Sequence, residues 1–126
     1  MNFPDNLKYT RDHEWISVKG NIGSIGVTDY AQGELGDVVF IDIDPNKTDI
    51  NSGDSIGTIE AVKTVSDIFA PCSGKVVEIN KGLQTNPEVV NSDPYGEGWM
   101  IKIELSNVSE LDSLLDSSAY KELIGK

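Results

Sequence analysis

Apolar positions along the chain recur mostly at strand spacing. Residues 13 to 18 read H-E-W-I-S-V, which sets Trp15 and Ile16 in an extended segment, and K-G-N then supplies a turn before I-G-S-I-G-V. A β-hairpin is predicted there. Thr28 is placed to cap a short helical turn through D-Y-A-Q that ends near Gly33 or Gly36. The following V-V-F-I-D-I is a strand rich in β-branched and aromatic residues, stopped by Pro45 and Asn46. Between residues 52 and 80, short β-prone pieces are punctuated by Gly53, Gly57, Pro71 and Gly74. Residues 85 to 98 read mostly as loop, and W-M-I-K-I-E-L then sets Trp99, Ile101, Ile103 and Leu105 on one face against Met100, Lys102 and Glu104. Near the C-terminus, Ser109 is the expected cap of a helix carrying Leu111, Leu114 and Leu115, and A-Y-K-E-L-I reads as a second short helix.

This pattern predicts a mainly β fold, a sandwich or barrel rather than βαβ units. No linker or tandem repeat divides it, so a single domain is expected over residues 1–126, with its β core at about 8–105 and a helical segment at about 109–124. Of the scattered aromatics, Trp15, Phe40 and Trp99 are expected in the core, and Tyr30 and Tyr95 at its rim. S-G-D at 52 to 54 and S-G-K at 73 to 75 suggest a loose two-fold arrangement of the segments around Lys63.

Composition narrows the function by exclusion. With 21 Asp plus Glu against 10 Lys plus Arg, the net charge is −11. Such a surface repels phosphate backbones and anionic lipid headgroups, so neither nucleic acid nor membrane is an expected partner, whereas proteins with basic docking faces are. Cys72 is the only cysteine and His13 the only histidine. That leaves no disulfide framework, no thiolate pair for zinc and little material for a nucleophilic triad; Cys72 is expected to be a small buried or half-buried residue. No metal site, Walker loop or dinucleotide-binding glycine motif is found. The opening M-N-F-P-D-N-L resembles neither a secretory signal nor an amphipathic presequence, so the expected location is cytoplasmic, or the mitochondrial matrix if a presequence has been removed. The chain is not expected to be an enzyme.

One residue then stands out. In I-E-A-V-K-T-V, residues 59 to 65, a single lysine, Lys63, interrupts a β-branched run. It either decorates a solvated strand or is displayed for chemistry. The surrounding G-T-I-E-A-V-K-T-V-S-D-I-F-A-P-C-S-G-K-V-V-E-I-N resembles the lipoyl-attachment segment of glycine cleavage system H proteins. H-E-W at 13 to 15, I-G-V-T-D-Y-A-Q at 25 to 32, L-G-D-V-V-F at 35 to 40 and N-S-D-P-Y-G-E-G-W-M-I-K-I at 91 to 103 resemble the same family in order and spacing. The likeness covers nearly the whole chain. Ala61 stands where that family often has serine, a change that keeps the position small.

The resemblance implies a barrel-sandwich hybrid of the lipoyl- and biotinyl-carrier type, with a short internal helix and C-terminal helices. It implies lipoic acid joined through an amide to Lys63, with Glu60 and Val62 in characteristic positions before it. Because a lysine amine is almost wholly protonated at neutral pH, the modifying lipoate ligase or lipoyl/octanoyl transferase must supply the base or the environment. It further implies a shuttle that takes the aminomethyl group of glycine from the pyridoxal-phosphate-dependent glycine decarboxylase (P protein) to the folate-dependent aminomethyltransferase (T protein). Dihydrolipoamide dehydrogenase (L protein) then reoxidises the arm. The loaded arm is cationic, and Glu14 and Asp67, with Glu34 beside Leu35 a weaker choice, are the carboxylates expected to receive it. An H-like relay that passes octanoyl or lipoyl groups to other enzymes is the alternative role. Biotinyl carriers resemble A-M-K-M around their lysine, and the lipoyl domains of 2-oxoacid dehydrogenases resemble D-K-A; this chain reads A-V-K-T.

Overall fold

The computed structural model describes residues 2–44 and 46–125. Pro45, expected to help end a strand, lies outside the described residues; Asn46 donates its N–H to Asp44 Oδ1 at 2.9 Å in the turn that follows it. The strands are β1 (Lys8–Tyr9), β2 (Glu14–Lys19), β3 (Ile22–Val27), β4 (Val38–Ile43), β5 (Asp49–Ile50), β6 (Ser55–Ala61), β7 (Val65–Phe69), β8 (Gly74–Ile79) and β9 (Ile101–Leu105). They form two antiparallel sheets, one ordered β1-β2-β3-β9-β8-β5 and the other β4-β6-β7. The expected hairpin is β2–β3, in register from Glu14↔Val27 to Lys19↔Ile22.

The inner faces of both sheets meet in one apolar cluster that includes Ile16, Ile25, Ile41, Ile59, Ile68, Ile101 and Ile103. Each such side chain contributes roughly 1.5–3 kcal/mol on burial, which fixes the strand register, since a one-residue slip would turn every one of them outward. Cys72 lies buried in this cluster. At the β1–β2 end a second cluster joins Phe3, Leu7, Tyr9, Trp15 and Tyr120. There Tyr9 and Tyr120 stack with ring centroids 4.8 Å apart, and Phe3 meets Tyr120 edge-on at 5.5 Å.

Helix α1 (Asp29–Leu35) starts where Thr28 Oγ1 accepts the Ala31 N–H at 3.1 Å. It runs to Gly36, whose φ of 80° ends it. Residues 85 to 98, expected as loop, contain the last residue of the single-turn helix α2 (Gly82–Thr85) and all of a second, α3 (Val89–Ser92); the two bury Leu83 and Val90. The cap of the first C-terminal helical segment also differs from expectation. Asn107, not Ser109, caps a 3-10 turn over Val108–Ser113, and Asp116 caps α4 (Ser117–Leu123) through the Ala119 N–H.

Two aromatic placements are corrected. Phe40 is 50% exposed because it lies on the outer face of the three-stranded sheet, and Trp99 is half-buried. Regular alternation begins only at Ile101. Met100, assigned to the polar face, is therefore fully buried beside Ile101, while Lys102 covers the Trp99 ring at 4.6 Å. The two S-G segments do meet, through the Ser52 N–H donating to Ser73 Oγ at 2.9 Å.

Candidate functional site

Strands β6 and β7 are joined by Val62, Lys63 and Thr64, and the turn is tied at its base by the Ala61 N–H donating to Thr64 O at 2.8 Å. A second tie holds the tip laterally, the Val62 N–H donating to Asp37 O at 3.0 Å. Asn91 braces that anchor from α3. Its Oδ1 accepts the Val38 N–H at 2.9 Å, and its Nδ2 donates to Gly36 O at 2.9 Å and to Gln32 Oε1 at 3.0 Å. The backbone of the tip is therefore tied at its base and its side, while its side chains stay in solvent: Val62 is 73% exposed and Lys63 is exposed. Among the described residues no carboxylate lies within ion-pair distance of Lys63.

The Lys63 stem crosses Gly36, where an added Cβ would stand 3.6 Å from Lys63 Cδ and Cε, and the positive φ there favours glycine. The amine thus begins its reach at the C-terminal end of α1. Ala31, Glu34 and Leu35 of that helix form one wall of a cleft of about 130 Å³, and Ile59, Ser66, Asp67 and Ile68 form another. Asp12, His13, Glu14 and Val27 complete it. Sequence reasoning singled out Glu14, Asp67 and Glu34, and the structure brings all three into this one cleft. It missed Asp12 and His13; their adjacency to Glu14 in D-H-E-W was the available signal.

Glu14 differs from its neighbours. Asp67 and Glu34 are exposed, whereas Glu14 is 2% exposed at the start of β2. Its Oε1 accepts the Thr10 hydroxyl at 2.6 Å and its Oε2 the Phe69 N–H at 3.3 Å. Burial pushes its carboxyl up to about 7, with a smaller push from Asp12, while the two hydrogen bonds act the other way. His13 sits in the β1–β2 loop at φ 71°, and its ring is held below its ordinary value by burial, against the opposing fields of Asp12 and Glu34.

Apolar walls with one desolvated carboxylate at depth and others at the rim suit an aliphatic chain that ends in a cation. Cys72 lies outside this cleft, in the core, where burial pushes its thiol up to about 11. Among the described residues no His, Cys, Asp and Glu group is arranged to hold a metal ion.

A lysine presented on a hairpin tip of one of two packed antiparallel sheets, with a cleft beside it fit for a tethered cation, defines a covalent carrier domain of the lipoyl barrel-sandwich type. Comparison with known proteins agrees: residues 7–126 match the family described as glycine cleavage H-protein. The glycine cleavage system H protein of Bacteroides fragilis is 53% identical over 124 residues, covering 98% of each chain. That of Staphylococcus haemolyticus is 53% identical over 126 residues, covering 100% of each. The crystal structure of a glycine cleavage system H protein from Mycobacterium marinum superposes with a TM-score of 0.89 at 36% identity, covering 98% of this chain and 100% of that one. The chain belongs to the glycine cleavage H-protein family, and is accordingly a lipoyl carrier of the glycine cleavage system rather than an enzyme.

Proposed function

We propose that Lys63 Nζ is the amide attachment point of lipoic acid, and that Glu14 and Asp67 receive the cationic end of the loaded arm, with Glu34 at the rim. The observation that carries this reading is the exposed Lys63 amine standing at the end of α1, beside the cleft those carboxylates share. When bound, lipoic acid supplies the dithiolane that takes up the one-carbon unit. The chain's own residues do the rest. The braced tip sets where the tether starts, and the tether's flexibility keeps its end at high effective concentration around the carrier. Glu14 provides a charge-assisted acceptor out of water, where a hydrogen bond to an ammonium gains most.

The outer face of the three-stranded sheet is the docking surface. Phe40, Glu60 and Val65 lie side by side across its strands, and Asp42, Thr58 and Asp67 form the next row. Phe40, Val62 and Val65 are each at least half exposed. A lipoate ligase or lipoyl/octanoyl transferase would read Glu60 and Val62 on either side of Ala61. Glycine decarboxylase, the aminomethyltransferase and dihydrolipoamide dehydrogenase would meet the same acidic and apolar face. Cytoplasmic residence fits this set, and no helix among the described residues is long and apolar enough to cross a membrane.

The test is glycine-dependent CO2 exchange by glycine decarboxylase, supplied with this chain after treatment with a lipoate ligase. The native chain supports exchange and Lys63→Arg does not. Exchange undiminished in Lys63→Arg would reject the assignment. Acceptance of lipoate without any exchange would point instead to the relay role.

A further inference from the structure

His13 has the unusual backbone of the site. It is the one residue other than glycine at positive φ among those described, a region that residues other than glycine seldom occupy, histidine less rarely than most. Its backbone is pinned on both sides, the Thr28 N–H donating to His13 O at 3.0 Å and the His13 N–H to Thr10 O at 3.2 Å. Its ring is turned toward α4, where Nδ1 lies 2.9 Å from Tyr120 Oη. Tyr120 Oη in turn lies 2.7 Å from Thr28 Oγ1. A strained residue held this way beside a binding cleft asks what the ring is held for.

The direction of the proton chain follows from counting donors. Thr28 and Tyr120 are both fully buried. Thr28 Oγ1 already accepts the Ala31 N–H, so the only described partner for its own proton is Tyr120 Oη. Tyr120 therefore accepts from Thr28, and its proton has one described destination, His13 Nδ1. The reverse direction would leave the Thr28 proton without an acceptor inside the fold, an arrangement folded proteins avoid. Nδ1 is then an acceptor, and the imidazole carries its one proton on Nε2.

We propose that Thr28 and Tyr120 form a relay that fixes His13 as the neutral, Nε2-protonated tautomer and so keeps a second cation out of the cleft, with Tyr120 a positioning residue acting through His13. The inference rests on reading the cleft as the seat of a cationic load. A charged imidazole there would repel an ammonium and compete for its carboxylates. The groups facing His13 explain why such a device is needed. Asp12 from its own loop and Glu34 from α1 draw a proton onto the ring, and Glu14 from β2 and Asp67 from β7 line the same cleft. Tyr30 of α1 lies 5.0 Å away ring to ring and Tyr120 packs from α4. Against the acids stand burial and an Nδ1 already occupied by a donor. The balance falls on the neutral side, since the ring lies below its ordinary value. Burial also pushes the Tyr120 phenol upward, so it keeps the proton it donates.

The test has two arms. Nitrogen-15 NMR of the unmodified chain reads the tautomer directly: the native protein shows Nε2–H with Nδ1 as acceptor, and Tyr120→Phe shows mixed tautomers and titrates higher. An Nδ1–H tautomer in the native chain, or a tautomer unmoved by Tyr120→Phe, overturns the proposal and needs no cofactor to do so. The second arm follows the lifetime of the loaded, lipoylated chain without partner enzymes. Relative to native, Tyr120→Phe shortens it about twofold near pH 6.5, where an ordinary imidazole is half protonated, and leaves it unchanged about two units higher. In a His13→Gly background Tyr120→Phe has no further effect. Equal shortening at both pH values, or in both backgrounds, marks a merely structural role and overturns the proposal. Glu14→Gln separates the two readings. If it shortens the lifetime and Tyr120→Phe does not, the cleft reading stands and the relay falls. If it leaves the lifetime unchanged, the cleft reading falls and takes the relay's purpose with it.

Discussion

Replacing Glu14 with Gln should make the unmodified protein more stable at alkaline pH and not at acid pH. In the folded chain the Glu14 carboxyl titrates at about 7, against an ordinary 4.5. Between those values the folded state holds a proton that the unfolded chain has lost. Stability therefore falls as pH rises through that window and is lowest above it. At about 1.36 kcal/mol per pH unit, the gap corresponds to a penalty of about 3 kcal/mol once the group is ionised. Glu14 is 2% exposed, so water relieves little of it. Glutamine removes the charge and its carbonyl still accepts the Thr10 hydroxyl, but its amide cannot accept the Phe69 N–H, which returns about 1 kcal/mol. The expected gain is about 2 kcal/mol above pH 8, or about 5–10 °C in melting temperature, vanishing or reversing near pH 4.5. Melts of both proteins at unit pH steps would read it. A difference independent of pH would refute the reasoning, because it would show that the carboxylate is not forced to ionise out of water. The same penalty explains how the residue could serve: an arriving ammonium replaces the missing hydration, and stability spent on the empty cleft becomes affinity for the load.

Three further outcomes follow from named contacts. Asn91→Ala removes the brace on Gly36 and Val38 and should cost about 1–3 kcal/mol in urea denaturation. It should also slow lipoylation by loosening the Asp37 anchor of the tip; unimpaired modification would show that the anchor holds without the brace. Phe40→Ser should change stability by less than about 0.5 kcal/mol, since the ring is half exposed, yet raise the KM of partner enzymes for the carrier. An unchanged KM would remove Phe40 from the docking face. Cys72 should resist thiol reagents in the native state and react at once in denaturant, because the thiol is buried and its ionisation pushed up to about 11.

Strand positions and the attachment hairpin could be read from the chain because their causes are local. Alternation in I-K-I-E-L, the K-G-N turn of the first hairpin and the Thr28 cap each act within a few residues. Gly57 makes no turn: it lies within β6, where an added Cβ would run into the Asp42 carbonyl oxygen of the adjacent strand. The departures have other causes. Phe40 looks like core because aromatics usually are, but in β4 it shares a face with Asp42, opposite the buried Ile41 and Ile43. Met100 precedes a strand that begins one residue later, so it lies outside that strand's alternation. In the cleft, motifs point to Glu14 and Asp67, and D-H-E-W sets Asp12 and His13 beside Glu14, but the Tyr120 contact from the far end of the chain forms only when β2, α1 and α4 pack together.

The central claim is that the Lys63 amine is the one acylated. Intact-mass spectrometry with peptide mapping, after incubation with lipoate, ATP and a lipoate ligase, tests it most directly. The account predicts one lipoyl adduct per chain, on the peptide holding Lys63, and none on Lys63→Arg, which keeps the charge but cannot form that amide. A native chain left unmodified by a competent ligase, or an adduct persisting in Lys63→Arg, would contradict it.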